Sequence, residues 1–125
     1  YMRRQQYGRI VYLSGGLSCR FFEGCAPFSA VKAGMNAFSK TVALEEGKFN
    51  ITVNTVAPGK IATSGQNLGG EWGELEKRQM DSNPLKRFAS LEDVAYAIMV
   101  FLIPENGYLT GQTVFAAGGE IMPMP

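Results

Sequence analysis

Three short β-rich apolar runs, separated by stretches of helical apolar spacing, predict an α/β fold built on a parallel, helix-covered sheet. The first run is Ile10-Val11-Tyr12-Leu13, the second is Ile51-Thr52-Val53-Asn54-Thr55-Val56-Ala57, and the third spans Gln112 to Ala116. Continuous apolar character across the first run suits a strand covered on both faces, since a strand with one wet face would alternate.

Each element follows from local chemistry. Tyr1 to Gln6 reads as the tail of a helix, and Ser14-Gly15-Gly16 ends the first strand. From Pro27 to about Lys48 the pattern is helical. Ala30, Val31, Ala33, Ala37, Phe38, Val42 and Leu44 fall at three- and four-residue steps, with much alanine and no internal proline. Gly47 and Asn50 punctuate its end, and Pro58-Gly59 stops the second strand. A loop of small residues runs from Lys60 to Gly70, followed by a charged helix from Glu71 to Ser82 carrying Trp72. Asn83-Pro84 breaks the chain again. Ser90 is a natural N-cap, and Glu92 and Asp93 complement the dipole of a helix from Leu91 to Ile103. Val94, Ala95, Ile98, Phe101 and Leu102 are its predicted buried face, and Pro104 closes it. Gly118-Gly119 ends the last strand. There is no repeat, low-complexity tract or linker, so the 125 residues form one domain or part of one.

Composition narrows the function. With 46% hydrophobic and 18% charged residues and a net charge of +1, no electrostatic footprint points to nucleic acid or a membrane surface. The longest apolar run, Ala95 to Ile103, is far short of a membrane span, and Tyr1 to Tyr7 does not resemble a secretory signal. Cys19 and Cys25 fit neither a disulfide framework nor a metal site, which predicts reduced thiols and a cytoplasmic location. The sequence contains no histidine, which excludes serine–histidine triads and histidine-ligated zinc.

Six motifs in register carry a resemblance. They are Gly8-Arg9-Ile10-Val11-Tyr12-Leu13-Ser14, Phe28-Ser29-Ala30-Val31-Lys32-Ala33-Gly34 and Asn50-Ile51-Thr52-Val53-Asn54-Thr55-Val56-Ala57-Pro58-Gly59. Pro84-Leu85-Lys86-Arg87-Phe88, Glu92-Asp93-Val94-Ala95 and Tyr108-Leu109-Thr110-Gly111-Gln112-Thr113 follow. This ordered set resembles the C-terminal half of a short-chain dehydrogenase/reductase, close to the 3-oxoacyl-[acyl-carrier-protein] reductase type. The resemblance implies a Rossmann-like, doubly wound parallel sheet, of which residues 1–125 supply the last three strands and their helices. The N-terminal dinucleotide-binding half, with its glycine-rich phosphate loop, is expected to be absent. Ser14-Gly15-Gly16-Leu17-Ser18 cannot replace that loop, which needs G-x-G-x-x-G between strand and helix. An Ile10–Leu13 strand without neighbours would leave an unpaired apolar edge, so either the chain is a fragment or another polypeptide, such as a complementary N-terminal half, completes the sheet.

The same resemblance assigns the chemistry. Such reductases use a Tyr-x-x-x-Lys helix motif, whose spacing puts both side chains on one face. The lysine lowers the tyrosine pKa and binds ribose hydroxyls, the tyrosine exchanges a proton with the substrate oxygen, and a serine about thirteen residues earlier holds that oxygen. Lys32 matches the lysine, Phe28 stands at the tyrosine position, and Gly15 falls at the serine position. Ser14 or Ser18 enters only through an alignment gap, and strand alternation argues against Ser14. Pro58, Gly59, Ile61 and Thr63 resemble the segment along the nicotinamide of NAD(H) or NADP(H), with the Ile61 amide and Thr63 hydroxyl as contacts. No metal is implied.

The reaction implied is hydride transfer between nicotinamide and a small carbonyl or alcohol substrate. Phenylalanine has no proton to exchange, and losing a positioned general acid costs roughly 10²–10⁴ in rate. The chain is therefore expected to be inactive by itself. The alternative is a non-catalytic pairing or scaffold subunit, or a remnant fragment, assembling as a homo- or hetero-oligomer through the Phe28–Gly47 helix and the last strand. Phe28 and Phe38 read more simply as core aromatics, Trp72 with Met80 as a pocket lining or a surface helix, and Arg87 as a partner for nearby acids.

Overall fold

The computed structural model describes residues 1–62 and 71–122, with the side chains of Glu71, Trp72 and Leu75 excepted. Three strands, β1 (Gly8–Leu13), β2 (Ile51–Pro58) and β3 (Thr113–Ala116), form one parallel sheet in the order β1-β2-β3. The register runs Gly8 opposite Ile51 to Leu13 opposite Val56, then Thr55 opposite Thr113 to Pro58 opposite Ala116. A short α1 (Met2–Gln5) precedes β1. Helix α2 (Ala26–Glu46) links β1 to β2, and α3 (Glu71–Ser82) and α4 (Leu91–Leu102) lie between β2 and β3. These are the parallel sheet and strand–helix–strand crossovers that the apolar runs predict.

Being the middle strand, β2 has both edges paired, and all eight of its residues are buried. Ile51 and Val53 pack with Ala43 of α2, and Thr55 Oγ1 donates to Ser39 Oγ at 2.7 Å on the same face. The Leu109–Gln112 turn completes the β2 hydrogen bonding. Val53 N–H donates to Thr110 Oγ1, Gly111 N–H to Val53 O, and Thr55 N–H to Gln112 O. Gly111 makes that turn at φ +70, a left-handed conformation that disfavours a side chain.

Asn54, fully buried, serves the same turn. Its Nδ2 donates to Leu109 O at 2.8 Å and its Oδ1 accepts from Gln112 N–H at 3.0 Å. Asn54→Ala would remove both bonds and leave a void in the buried strand, and is expected to destabilise the fold by about 1–3 kcal/mol in all, read by urea denaturation.

Helix α2 ends in a short 3₁₀ turn, Gly47–Phe49, stopped by Asn50 in the left-handed region at φ 57. Arg3 of α1 reaches across to the last turn of α2, where its Nε donates to Glu46 Oε2 at 2.8 Å. That bond holds the Glu46 carboxyl below its ordinary pKa.

At the start of α4, Ser90 forms the predicted cap as a reciprocal box. Its Oγ accepts from Asp93 N–H at 3.1 Å, and its own N–H donates to Asp93 Oδ2 at 2.8 Å. Arg87 pairs with the same carboxylate, as the sequence led us to expect. These bonds, the Arg87 one foremost, hold the Asp93 carboxyl well below the usual carboxylate range. A carboxyl depressed on folding contributes stability that is fully present above about pH 4 and lost as pH falls through its folded pKa. Asp93→Asn is therefore expected to flatten the acid limb of stability, measured by urea unfolding at about pH 5 and about pH 3.

Two helix faces differ from expectation. In α4, Val94 and Phe101 are buried with Ile98 half-buried between them, but Ala95 and Leu102 are exposed. One residue is about 100° of helix, so positions following the buried stripe turn out of it. In α2 the buried residues are Ser39, Ala43 and Glu46, while Val31, Phe38 and Leu44 are exposed. The sheet meets only one stripe of that helix.

Candidate functional site

The site forms where β1 and β2 end. Beyond β1, Ser14 continues the ladder by donating its N–H to Val56 O at 2.9 Å, and Gly15 follows in extended backbone at φ 172. A Cβ on Gly15 would lie 3.5 Å from Lys32 Cε, an ordinary contact distance. Lys32 in turn places its ammonium over the Phe28 ring, 5.4 Å from the centroid. The i, i+4 spacing thus juxtaposes Phe28 and Lys32, and the turn after β1 brings Gly15 to the lysine stem. Among the described residues, Lys32 has no carboxylate partner.

The other two serines are accounted for differently. Ser14 is buried with its Oγ unpartnered among the described residues, on the strand side opposite Gly15 by alternation. Ser18 is also buried, and its Oγ donates to Cys19 Sγ at 3.8 Å. Phe28 and Phe38 are not core aromatics. They are 54% and 56% exposed, Phe28 in the first turn of α2 and Phe38 off the stripe that faces the sheet, although Phe38 keeps an edge contact with Tyr12 at 5.7 Å.

A second wall comes from β2. A Cβ on Gly16 would stand 3.5 Å from Pro58 O and 3.9 Å from Gly59 Cα, so the turn after β1 lies directly on the Pro58-Gly59 corner. The approach at Gly59 is close, since a Cβ there would come 3.1 Å from Ala117 Cα. Past this corner, Ala62 N–H donates to Ala89 O at 2.8 Å and Ala89 N–H to Lys60 O at 3.0 Å. The Ile61 N–H makes no backbone bond among the described residues. Thr63 and the Trp72 side chain lie outside the described residues.

Between the two walls is a cavity of about 210 Å³, bounded by Gly16, Pro58, Gly59, Lys60, Arg20 and Glu120. Gln79 rather than Met80 represents α3 in its lining. Its charges are internally matched. Arg20 pairs with Glu120 and stacks on Phe22, 5.0 Å from the ring centroid, and Lys60 pairs with Glu76. Sequence spacing did not single out Arg20 or Glu120, because a pair one hundred residues apart has no local signature.

Gly16 and Gly59 contribute no side chains to the cavity, with Ile121 packed on Gly16; outside its lining, the Ile61 N–H and the Lys32 ammonium have no backbone or carboxylate partner among the described residues. Among the described residues, no group of three or more metal-ligating side chains occurs.

Known proteins share this arrangement of elements. A family profile described as enoyl-(acyl carrier protein) reductase matches residues 1–120. The short-chain reductase protein NovJ of Streptomyces niveus is 34% identical over 125 residues, covering 96% of this chain and 47% of NovJ. The 3-oxoacyl-[acyl-carrier-protein] reductase FabG of Staphylococcus epidermidis is 35% identical over 121 residues, covering 97% and 49%. The acetoacetyl-CoA reductase of an Acinetobacter strain is 40% identical over 124 residues, covering 97% and 48%. Among solved structures, YwfH, described as an NADPH-dependent reductase involved in bacilysin biosynthesis, superposes with a TM-score of 0.89 at 28% identity, covering 98% of this chain and 50% of YwfH. The chain spans about half the length of the curated relatives it matches.

Proposed function

The chain belongs to the short-chain dehydrogenase/reductase family, and on that premise we propose that it is the C-terminal, nicotinamide-facing half of an NAD(P)-dependent oxidoreductase, impaired in its proton transfer. The observation that carries this reading is the position of Lys32, with its stem beside Gly15 and its ammonium over Phe28. On this reading Lys32 keeps the lysine's role, while Phe28 and Gly15 lack the two oxygen-handling groups beside it.

When bound, NAD(H) or NADP(H) supplies or accepts the hydride at the carbonyl or alcohol carbon. This chain's residues would do the rest. Lys32 would hold ribose hydroxyls, the Ile61 N–H and Thr63 hydroxyl the carboxamide side, and Gly16, Pro58 and Gly59 the ring face. At the substrate oxygen, Phe28 offers no proton and Gly15 no hydroxyl. The first four strands and the phosphate loop would come from an N-terminal half pairing along the outer edge of β1. Free Cys19 and Cys25 suit a reducing, cytoplasmic location.

The reading is tested by assembling the chain with an N-terminal half from a related reductase and titrating NADPH and NADH. Nicotinamide fluorescence should report binding while turnover of a carbonyl substrate stays at least about 10²-fold below that of an intact reductase. Turnover at the intact level would show that Phe28 and Gly15 do not matter.

A second reading, a non-catalytic pairing subunit, is favoured by one observation. Val31 and Phe38, seven residues apart on one face of α2, present exposed apolar side chains, the kind of surface that marks association. Under it, Phe38→Glu or Val114→Glu is expected to shift the assembly toward smaller species in sizing experiments. Unchanged elution for both would remove that interface.

A further inference from the structure

The segment that follows β3 has features that hydride transfer does not call for. The chain leaves the strand through Gly118 (φ +61) and Gly119 (φ +85), consecutive residues in the left-handed region. A Cβ on the first would strike the Asn83 side chain at 2.6 Å, and one on the second would reach Pro84 at 2.9 Å. This double bend sends residues 120–122 back over the ends of β1 and β2. Glu120 N–H donates to Ala117 O at 3.0 Å, and Ile121 presses on Gly16 so closely that a Cβ there would come 2.5 Å from its Cδ1.

Glu120 is the fastening. Its side chain is 7% exposed, pairs with Arg20 and accepts from Gln79 Nε2 at 3.3 Å. One carboxylate thereby ties the turn after β1, helix α3 and the chain beyond β3 around a single cavity. We propose that residues 118–122 form a strap along one side of this partly open cavity, latched by Glu120 on Arg20, and that opening the latch widens the cavity for a ligand. The identity of the ligand rests on the oxidoreductase reading, whereas the latch is a property of the chain alone.

The pair is asymmetric, and that sharpens the test. A carboxylate as enclosed as Glu120 is costly without its cation, so removing Arg20 should lift the strap to rehydrate it. Removing the Glu120 charge leaves Arg20, 34% exposed and stacked on Phe22, free to turn to water. Hydrogen exchange of the full chain without nucleotide should resolve this. Arg20→Gln is expected to accelerate amide exchange in residues 16–20 and 118–122 together, by about tenfold, and Glu120→Gln less. The charge swap Arg20→Glu with Glu120→Arg should recover much of the protection, and the β2 amides should not change. No acceleration, acceleration in only one of the two segments, or loss spreading into β2 would each overturn the latch. Because no nucleotide is present, a chain that never binds nicotinamide still reports on it. Cofactor binding with unchanged exchange would sink the latch and spare the oxidoreductase reading.

Discussion

Phe28→Tyr combined with Gly15→Ser, in the chain assembled with an N-terminal half, is expected to raise NAD(P)H turnover by about 10²–10⁴. The backbone is prepared for both changes. Gly15 is extended at φ 172, a conformation open to any residue, and a Cβ there meets Lys32 Cε at an unstrained 3.5 Å. Phe28 is 54% exposed, so an added hydroxyl enters open space rather than a packed core. Because oxygen-handling groups act as a unit, either substitution alone should gain much less than the pair. A double variant that folds, binds cofactor and stays inactive would contradict a retained catalytic geometry around Lys32.

Lys32→Met in that restored background is expected to return most of the gain, a loss of about 10² in turnover. The ammonium lies 5.4 Å from the ring at position 28, where a positive charge favours the ionised form of a phenol. Without it, the pKa of the introduced tyrosine should rise, moving the basic shift in the pH–rate profile to higher pH. Cofactor affinity should fall as well, through the lost ribose contacts. A loss of turnover with an unmoved profile would mean that Lys32 only holds the ribose.

Much of this was legible in the sequence, for reasons that differ by element. Strand β2 showed itself because Ile51 to Ala57 is rich in β-branched residues and is stopped by Pro58-Gly59, and the Ser90 cap because Ser90 stands before Glu92 and Asp93 at a helix start. The Phe28–Lys32 pairing followed from helical spacing. The approach of Gly15 to the lysine needed the family resemblance, since no periodicity links a turn after β1 to a helix one turn further on. Burial on the helices was harder to foresee. Ala95, Leu102 and Phe38 are as apolar as their buried neighbours, and only the breadth of the sheet decides which stripe is covered. The Arg20–Glu120 pair was out of reach, because it depends on where the Gly118-Gly119 bend returns the chain.

Native mass spectrometry of the chain mixed with an N-terminal half, with NADPH and NADH added separately, tests the central claim most directly. The predicted result is an equimolar pair that retains nicotinamide, with carbonyl turnover at least about 10²-fold below an intact reductase until Phe28→Tyr and Gly15→Ser are installed. If the chain instead appears only with itself, without nucleotide and without the folded N-terminal half, it is not the nicotinamide-facing half of an oxidoreductase. The exposed face of α2 would then define its role.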